Sequence, residues 1–252
     1  MNDRVNGLVL KNSDYKENAA LVSVLTREYG KLSLIVPGAR KMTSKNAGAI
    51  LPYTEDEFLI DYQENRTMFR LKSASLVQAF RHLHGDLTSS SAAAVLAEVT
   101  DALSLPDGEE EKNDEYGLLK RGFELLNEGR SPYLVLALFL GRTLEAAGIG
   151  PDVDECVLCG KTSVSAFSVA DGGFLCEDCR AKAGLMPEKP DDLRRIRILA
   201  KASYAQFDLV DRLFSTSAGD ADLFMRFFLQ HSGLNIRSYA LFQRLSSVER
   251  PR

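Results

Sequence analysis

The sequence predicts an α+β protein, with a small β-barrel at the N-terminus followed by a helical domain that a four-cysteine module interrupts. Three observations carry this reading. Short apolar runs with strand periodicity, separated by turn residues, fill the first 80 residues. From residue 81 onward the pattern is helical, with capping signals. All four cysteines fall in one block, Cys156, Cys159, Cys176 and Cys179, spaced C-x2-C-x16-C-x2-C.

The strands follow in order. Val5 to Lys11 is a short apolar run, and Ala20 to Thr26 is a second, rich in β-branched residues. Tyr29-Gly30 makes a turn into Lys31 to Val36, which alternates with period two. Leu32, Leu34 and Val36 share one face of it, and Lys31, Ser33 and Ile35 the other. Pro37-Gly38 stops that strand. Glu57 to Tyr62 and Met68 to Ser73 read as a hairpin around Gln63-Glu64-Asn65-Arg66. Five short strands in this span suit a closed or nearly closed barrel, a domain over residues 1–80.

Residues 81–252 read as one helical domain. Thr88-Ser89-Ser90-Ser91 offers N-caps for an alanine-rich helix through Leu103, and Leu105-Pro106-Asp107-Gly108 ends it. Glu115 to Asn127 is amphipathic, with Leu118, Leu119, Phe123 and Leu126 at helical spacing. Ser131-Pro132 opens a helix to Ala147 that is apolar nearly all round, as the central helix of a bundle would be. Helical patterns resume over Asp191 to Gln206, Phe207 to Thr216, Asp220 to His231 and Ser238 to Leu245.

Between them, at about 150–185, lies the cysteine block. Each C-x2-C places two sulfurs on one tight knuckle, and two facing knuckles supply a tetrahedron. Gly160 follows the first pair, and Gly172-Gly173 turn the chain back toward the second. With no cysteine left over the site is closed, which implies structural Zn2+ rather than a catalytic ion. Two disulfides are the alternative, but the chain lacks the other marks of a secreted protein. The N-terminus MNDRVNGLVL has no apolar signal core, and no stretch reaches the ~18 apolar residues of a membrane span. The expectation is a soluble cytoplasmic protein.

Net charge is −4, unevenly distributed. Residues 1–80 carry 11 basic and 9 acidic groups, 81–150 carry 6 and 12, 151–190 carry 4 and 7, and 191–252 carry 10 and 7. A polyanion would therefore be met at the ends of the chain. The stretch from Arg27 to Lys45 holds Arg27, Lys31, Arg40, Lys41 and Lys45 against one acid, Glu28. Basic loops around barrel strands track a phosphate backbone without reading sequence, and Tyr29, Tyr53 and Tyr62 are candidates for stacking on bases. Enzyme motifs are missing: the chain contains no G-x-x-x-x-G-K-[ST], G-x-S-x-G or H-E-x-x-H, and its three histidines, His82, His84 and His231, join no plausible ligand set.

The string Gly30-Lys31-Leu32-Ser33, continuing to Pro37-Gly38-Ala39-Arg40-Lys41, resembles the RecO family of bacterial recombination mediators. Gly7-Leu8-Val9-Leu10, Leu51-Pro52-Tyr53 and the apolar helix leading to the first cysteine knuckle fit the same family, so the resemblance covers nearly the whole chain. It implies an N-terminal OB-fold and a helical domain with an inserted zinc ribbon-like module. It implies binding of single- and double-stranded DNA and ATP-independent annealing, in a non-enzymatic role. It implies RecR and the acidic, Phe-terminated tail of single-strand binding protein as partners, help in loading RecA recombinase, and a nucleoid-associated location. Lys31, Arg40 and Lys41 match the basic positions of the family motif, whereas Arg27, Lys45 and Arg70 follow from charge and neighbourhood. Pro37 stands where members often have a basic residue, which implies weaker, salt-sensitive binding. Arg121, Arg130 and Arg142, beside Leu126, Leu134 and Phe139, are a candidate surface for the tail. Arg194, Arg195 and Arg197 either extend a DNA path or decorate a helix. The competing functional classes are a zinc-stabilised interaction scaffold without direct DNA activity, and a metal-dependent nuclease, for which the carboxylate cluster is missing.

Overall fold

Six strands from the N-terminal third hydrogen-bond into one sheet: β1 (Asp3–Tyr15), β2 (Ala19–Thr26), β3 (Gly30–Pro37), β4 (Glu55–Ile60), β5 (Met68–Arg70) and β6 (Ser73–Gln78). Their order across the sheet is β5-β3-β2-β1-β4-β6. The structure, a computed structural model, describes residues 3–39, 50–63, 66, 68–104 and 112–248.

Alternation along the strands sends one face inward. Val9, Val22, Leu34, Phe58, Ile60 and Phe69 pack there into a single core, each almost fully buried. β1 pairs with β4 over Asp3–Leu8 and with β2 over Gly7–Tyr15, and a register shift between Val9 and Lys11 bends it just beyond the overlap. Gly7 lies where the two pairings overlap, and Phe58 crosses its backbone there; a Cβ would lie 3.0 Å from the ring.

The expected hairpin of Glu57–Tyr62 with Met68–Ser73 is corrected. β5 crosses away to run parallel to β3, with Leu34 opposite Phe69. β4 pairs instead with β6, antiparallel, with Leu59 opposite Ser73. The predicted fifth strand therefore divides in two. Leu71 N–H donates to Ile35 O (2.9 Å) and the next residue, Lys72, donates to Leu59 O (3.0 Å). Two adjacent residues thus bond strands near opposite ends of the sheet, and the sheet curls into an OB-like half-barrel. Periodicity reports which residues face inward; it does not report which strand lies alongside.

The chain forms two compact units, Met1–Gly129 with Arg237–Phe242, and Arg130–Ile236 with Gln243–Arg252. In the first unit, α1 (Arg81–Gly85), α2 (Leu87–Leu103) and α3 (Lys112–Asn127) accompany the half-barrel. The cap of α2 is Asp86, whose Oδ1 accepts from Ser89 N–H at 2.7 Å; the serines and threonine expected to cap it lie inside the helix. Glu98 on α2 accepts from the backbone N–H groups of Arg237 (3.0 Å) and Ser238 (2.7 Å), which attaches the start of α9 (Tyr239–Val248) to this unit. Partial burial pushes the Glu98 carboxyl up, but the bonds from Ser238 and Arg237 outweigh it and hold it below its ordinary value.

In the second unit α4 (Pro132–Ala146) is the central helix, buried without a break from Leu134 to Gly141. α6 (Pro190–Lys201) and α8 (Ala218–Ser232) pack on it. A Cβ at Gly141 would lie 2.9 Å from Leu199 O, so the glycine permits the α4–α6 approach. α6 stops at Lys201, short of the expected Gln206, because Ser203 and Gln206 cap a separate 3-10 turn, Tyr204–Gln206, ahead of α7 (Phe207–Leu213). The cysteine module lies between α4 and α6 in the chain and comprises β7 (Ala166–Ser168), β8 (Gly173–Leu175) and α5 (Glu177–Lys182).

One buried acid makes the half-barrel sensitive to pH. Asp56 is fully buried; Oδ2 accepts from Thr54 Oγ1 at 2.6 Å and Oδ1 has no partner among the described residues. Burial pushes this carboxyl up, the Thr54 bond partly counters it and the neighbouring Glu55 adds to the rise, bringing it to about 6. An acid whose folded value is raised stabilises below its unfolded value, and that contribution is lost as pH rises through the folded value. In urea unfolding, Asp56→Asn is expected to gain stability relative to the parent as pH rises from 4 to 7, by about 2 kcal/mol, and to gain no more above pH 7.

Candidate nucleic-acid interface and metal centre

The β2–β3 turn is set by Thr26, whose buried hydroxyl accepts from Tyr29 N–H (3.0 Å) and donates to Gly30 O (2.8 Å). Gly30 has φ +66, the left-handed conformation that favours glycine. Arg27 N–H donates to Asn6 O (3.0 Å), leaving the Arg27 side chain exposed on the turn. Arg70 is exposed on β5, opposite Ile35 of β3. Among the described residues no carboxylate forms an ion pair with Arg27 or Arg70.

Lys31 has a different environment. Its ammonium donates to the backbone carbonyl of Asp101 on α2 and lies 3.7 Å from the Asp101 carboxylate, and its side chain is only 20% exposed. Ser23 Oγ donates to the same carboxylate at 2.7 Å. Both residues lie on the outer face of their strands, so α2 covers the start of that face and Lys31 helps to fasten it. Farther round the sheet, Glu55 Oε1 accepts from Tyr116 OH and Lys120 Nζ of α3, each at 2.8 Å. The remaining basic candidates, Arg40, Lys41 and Lys45, lie outside the described residues.

The three tyrosines separate into two groups. Tyr53 packs against the Phe123 and His84 rings and is not open to a base. Tyr29 and Tyr62 stack on each other with centroids 3.9 Å apart, and Tyr62 stacks on buried Phe69 at 5.2 Å.

The residues considered for a tail site lack the required openness. Leu126, Leu134 and Phe139 are core residues. Arg121 pairs with Glu124 and Glu128, Arg142 with Glu145, and Arg130 with Asp208 and Asp211 while lying over the Phe207 ring. The α6 arginines also differ from one another. Arg197 donates to Val153 O at 2.6 Å and lies over the Phe174 ring, Arg195 pairs with buried Asp220, and Arg194 is exposed. Arg197 therefore holds the cysteine module to α6, aided by the Lys201–Asp154 pair.

In that module the knuckle at Cys156 is closed by Cys159 N–H and Gly160 N–H, both donating to Cys156 O (3.2 and 2.8 Å), with Gly160 at φ +73. β7 and β8 form the hairpin between the knuckles. A Cβ at Gly173 would lie 2.2 Å from Asp152 O, so no other residue fits there without moving backbone. The sulfurs of Cys156, Cys159, Cys176 and Cys179 all lie within 4.8 Å of one another, and no disulfide joins them. Cys159 and Cys176 Sγ are 3.6 Å apart, close to the edge of about 3.8 Å in a tetrahedron with metal–sulfur bonds of about 2.3 Å. The electrostatics agree. Burial raises the Cys156 thiol, but backbone amides of Cys176 and Leu158 bring it down to about 6. Cys179 is pushed up to about 12, chiefly by its hydrogen bond with Cys176 and by burial. Four such thiolates cannot coexist at this spacing without a cation, so the donor set fits a metal.

Fold and site define a class of protein: an OB-like half-barrel with helices, and a helical unit carrying four cysteines poised for a metal. The family model described as Recombination protein O N terminal matches residues 1–80, and Recombination protein O C terminal matches residues 84–229. The chain is 28% identical over 249 residues to the DNA repair protein RecO of Bacillus pumilus, covering 97% of this chain and 94% of that one. It is 28% identical over 253 residues to the protein of the same name from Halalkalibacterium halodurans, covering 97% and 96%. To that of Moorella thermoacetica it is 32% identical over 182 residues, covering 71% and 66%. The chain belongs to the RecO family of DNA repair proteins.

Purified protein is expected to carry one thiolate-bound metal ion. Cys156→Ser should lose it, and in hydrogen exchange the amides of 150–185 should lose protection while those of β1–β3 keep theirs. Equal metal content in the variant and the parent would refute the ligand assignment.

Proposed function

We propose that this protein is a non-catalytic mediator of DNA repair and recombination. In this reading it binds single- and double-stranded DNA, anneals complementary strands without ATP and helps to load RecA on strands coated with single-strand binding protein. RecR and the tail of single-strand binding protein are its proposed partners, and the bacterial cytoplasm and nucleoid its location. The observation that carries the reading is a pair of exposed arginines, Arg27 and Arg70, near opposite ends of β3 and without an ion pair among the described residues. They stand on the order of 20 Å apart at ~3.3 Å per strand residue, room for several nucleotides. Between them in sequence lie Arg40, Lys41 and Lys45.

The mechanism is charge neutralisation. Guanidinium and ammonium groups hold one phosphate backbone, and the lowered repulsion admits the complement. Phosphates carry no base identity, so any sequence is accepted. In the metal module we propose Zn2+ on Cys156, Cys159, Cys176 and Cys179, where it supplies a cross-link between the two knuckles and no reactive position.

The test is annealing of complementary oligonucleotides coated with their cognate single-strand binding protein, without ATP, at two salt concentrations. The parent should accelerate annealing, less so at the higher salt. The double variant Arg40→Glu, Lys41→Glu should lose about tenfold or more in rate. Lys31→Ala should act differently, lowering unfolding stability by about 1 kcal/mol through loss of its bond to Asp101. Unchanged annealing by the charge-reversed protein would favour the scaffold reading.

A further inference from the structure

The aromatic residues at the β2–β3 end of the half-barrel form a short column that runs outward from the core. Phe69, 2% exposed, is its inner member; Tyr62 stacks on it at 5.2 Å with 19° between ring planes, and Tyr29 stacks on Tyr62 at 3.9 Å with 14°. Tyr29 is thus the outer member. Among the described residues no ring or cation stacks on its second face.

The column is held in place before any ligand arrives. Tyr29 N–H is fixed by Thr26 Oγ1, whose hydroxyl is tied in turn to Gly30 O. Phe69 is anchored through the β3–β5 pairing opposite Leu34. A ring held this way loses little rotational freedom when a second flat group stacks on it. Burial and the nearby Asp3 and Glu28 carboxylates raise the Tyr29 phenol, so it stays protonated and neutral at physiological pH. The exposed Arg27 stands two residues earlier on the same turn, and the exposed Arg66 four residues beyond Tyr62.

A flat, neutral, preoriented ring beside exposed guanidinium groups matches one ligand chemistry, an unstacked base whose own phosphates run past the arginines. Bases in a duplex are stacked on both sides and cannot take this position. We propose that Tyr29, supported by Tyr62 and Phe69, is a stacking platform for one base of a single strand, and that it makes the half-barrel favour single strands over duplex. This rests on the DNA-binding reading above and adds the residue and the contact by which a single strand is distinguished.

The experiment compares a single-stranded oligonucleotide with an abasic strand of equal length, which has the same phosphates and no rings. The parent should bind the base-bearing strand about tenfold more tightly than the abasic one. Tyr29→Ala should erase that difference by losing affinity for the base-bearing strand alone, and Tyr29→Phe should retain it. The melting temperature of each variant checks the fold. Three results would overturn the platform and leave DNA binding intact: no base preference in the parent, a preference that survives Tyr29→Ala, or an equal loss on both strands. Failure of the parent to bind either strand would instead overturn the DNA-binding reading.

Discussion

The half-barrel depends on one peptide step. Leu71 bonds to β3 and Lys72 bonds to β4, so consecutive amides serve strands that lie three places apart across the sheet. No flat sheet satisfies both, because the chain advances at most ~3.6 Å per residue and neighbouring strands are spaced by ~4.8 Å. The sheet must curl until its ends approach. Curling gives Phe58, Ile60 and Phe69 a closed interior, and it divides the outer surface among competing neighbours.

That competition decides which charges remain available. The start of the outer face of β3 is taken by α2, and Lys31 is spent there on Asp101. The β4 side is met by α3, where Glu55 takes Tyr116 and Lys120. Arg27 and Arg70 escape because they sit on a turn and on a short outer strand. A cation in a signature string and a cation open to a phosphate are different things, and only packing separates them. The second unit shows the same division, with Arg197 fixed to Val153 and Phe174 while Arg194 remains in solvent.

The cysteine module stands apart in how it is held. Around the sulfurs lies a small cluster, Cys156, Leu175 and Cys176 with Val157, Cys179 and Leu185 beside them, and Val153, Ala166, Phe167 and Phe174 are buried elsewhere in the module. Gly173 lets the backbone of Asp152 approach β8, Gly160 closes the first knuckle in the left-handed conformation, and a cation on the four converging sulfurs would add a cross-link to these contacts.

Much of this was legible in the amino-acid sequence. The inward faces of β1 to β4, the buried run of α4 and the four-sulfur cluster all follow from local rules: period two, period 3.6 and paired knuckles. Those rules involve residues near one another in the chain, so the sequence by itself determined them. The division of the fifth apolar run between β3 and β4, the cap of α2 at Asp86, the engagement of Lys31 and the stacking of Tyr29 on Tyr62 were decided only by tertiary structure. Each depends on a partner distant in sequence, such as Ile35 for Leu71, Asp101 for Lys31 and Tyr62 for Tyr29, or, at the cap, on geometric competition among several suitable side chains. Periodicity fixes the direction of a side chain, and only the folded arrangement of the other elements decides what it meets.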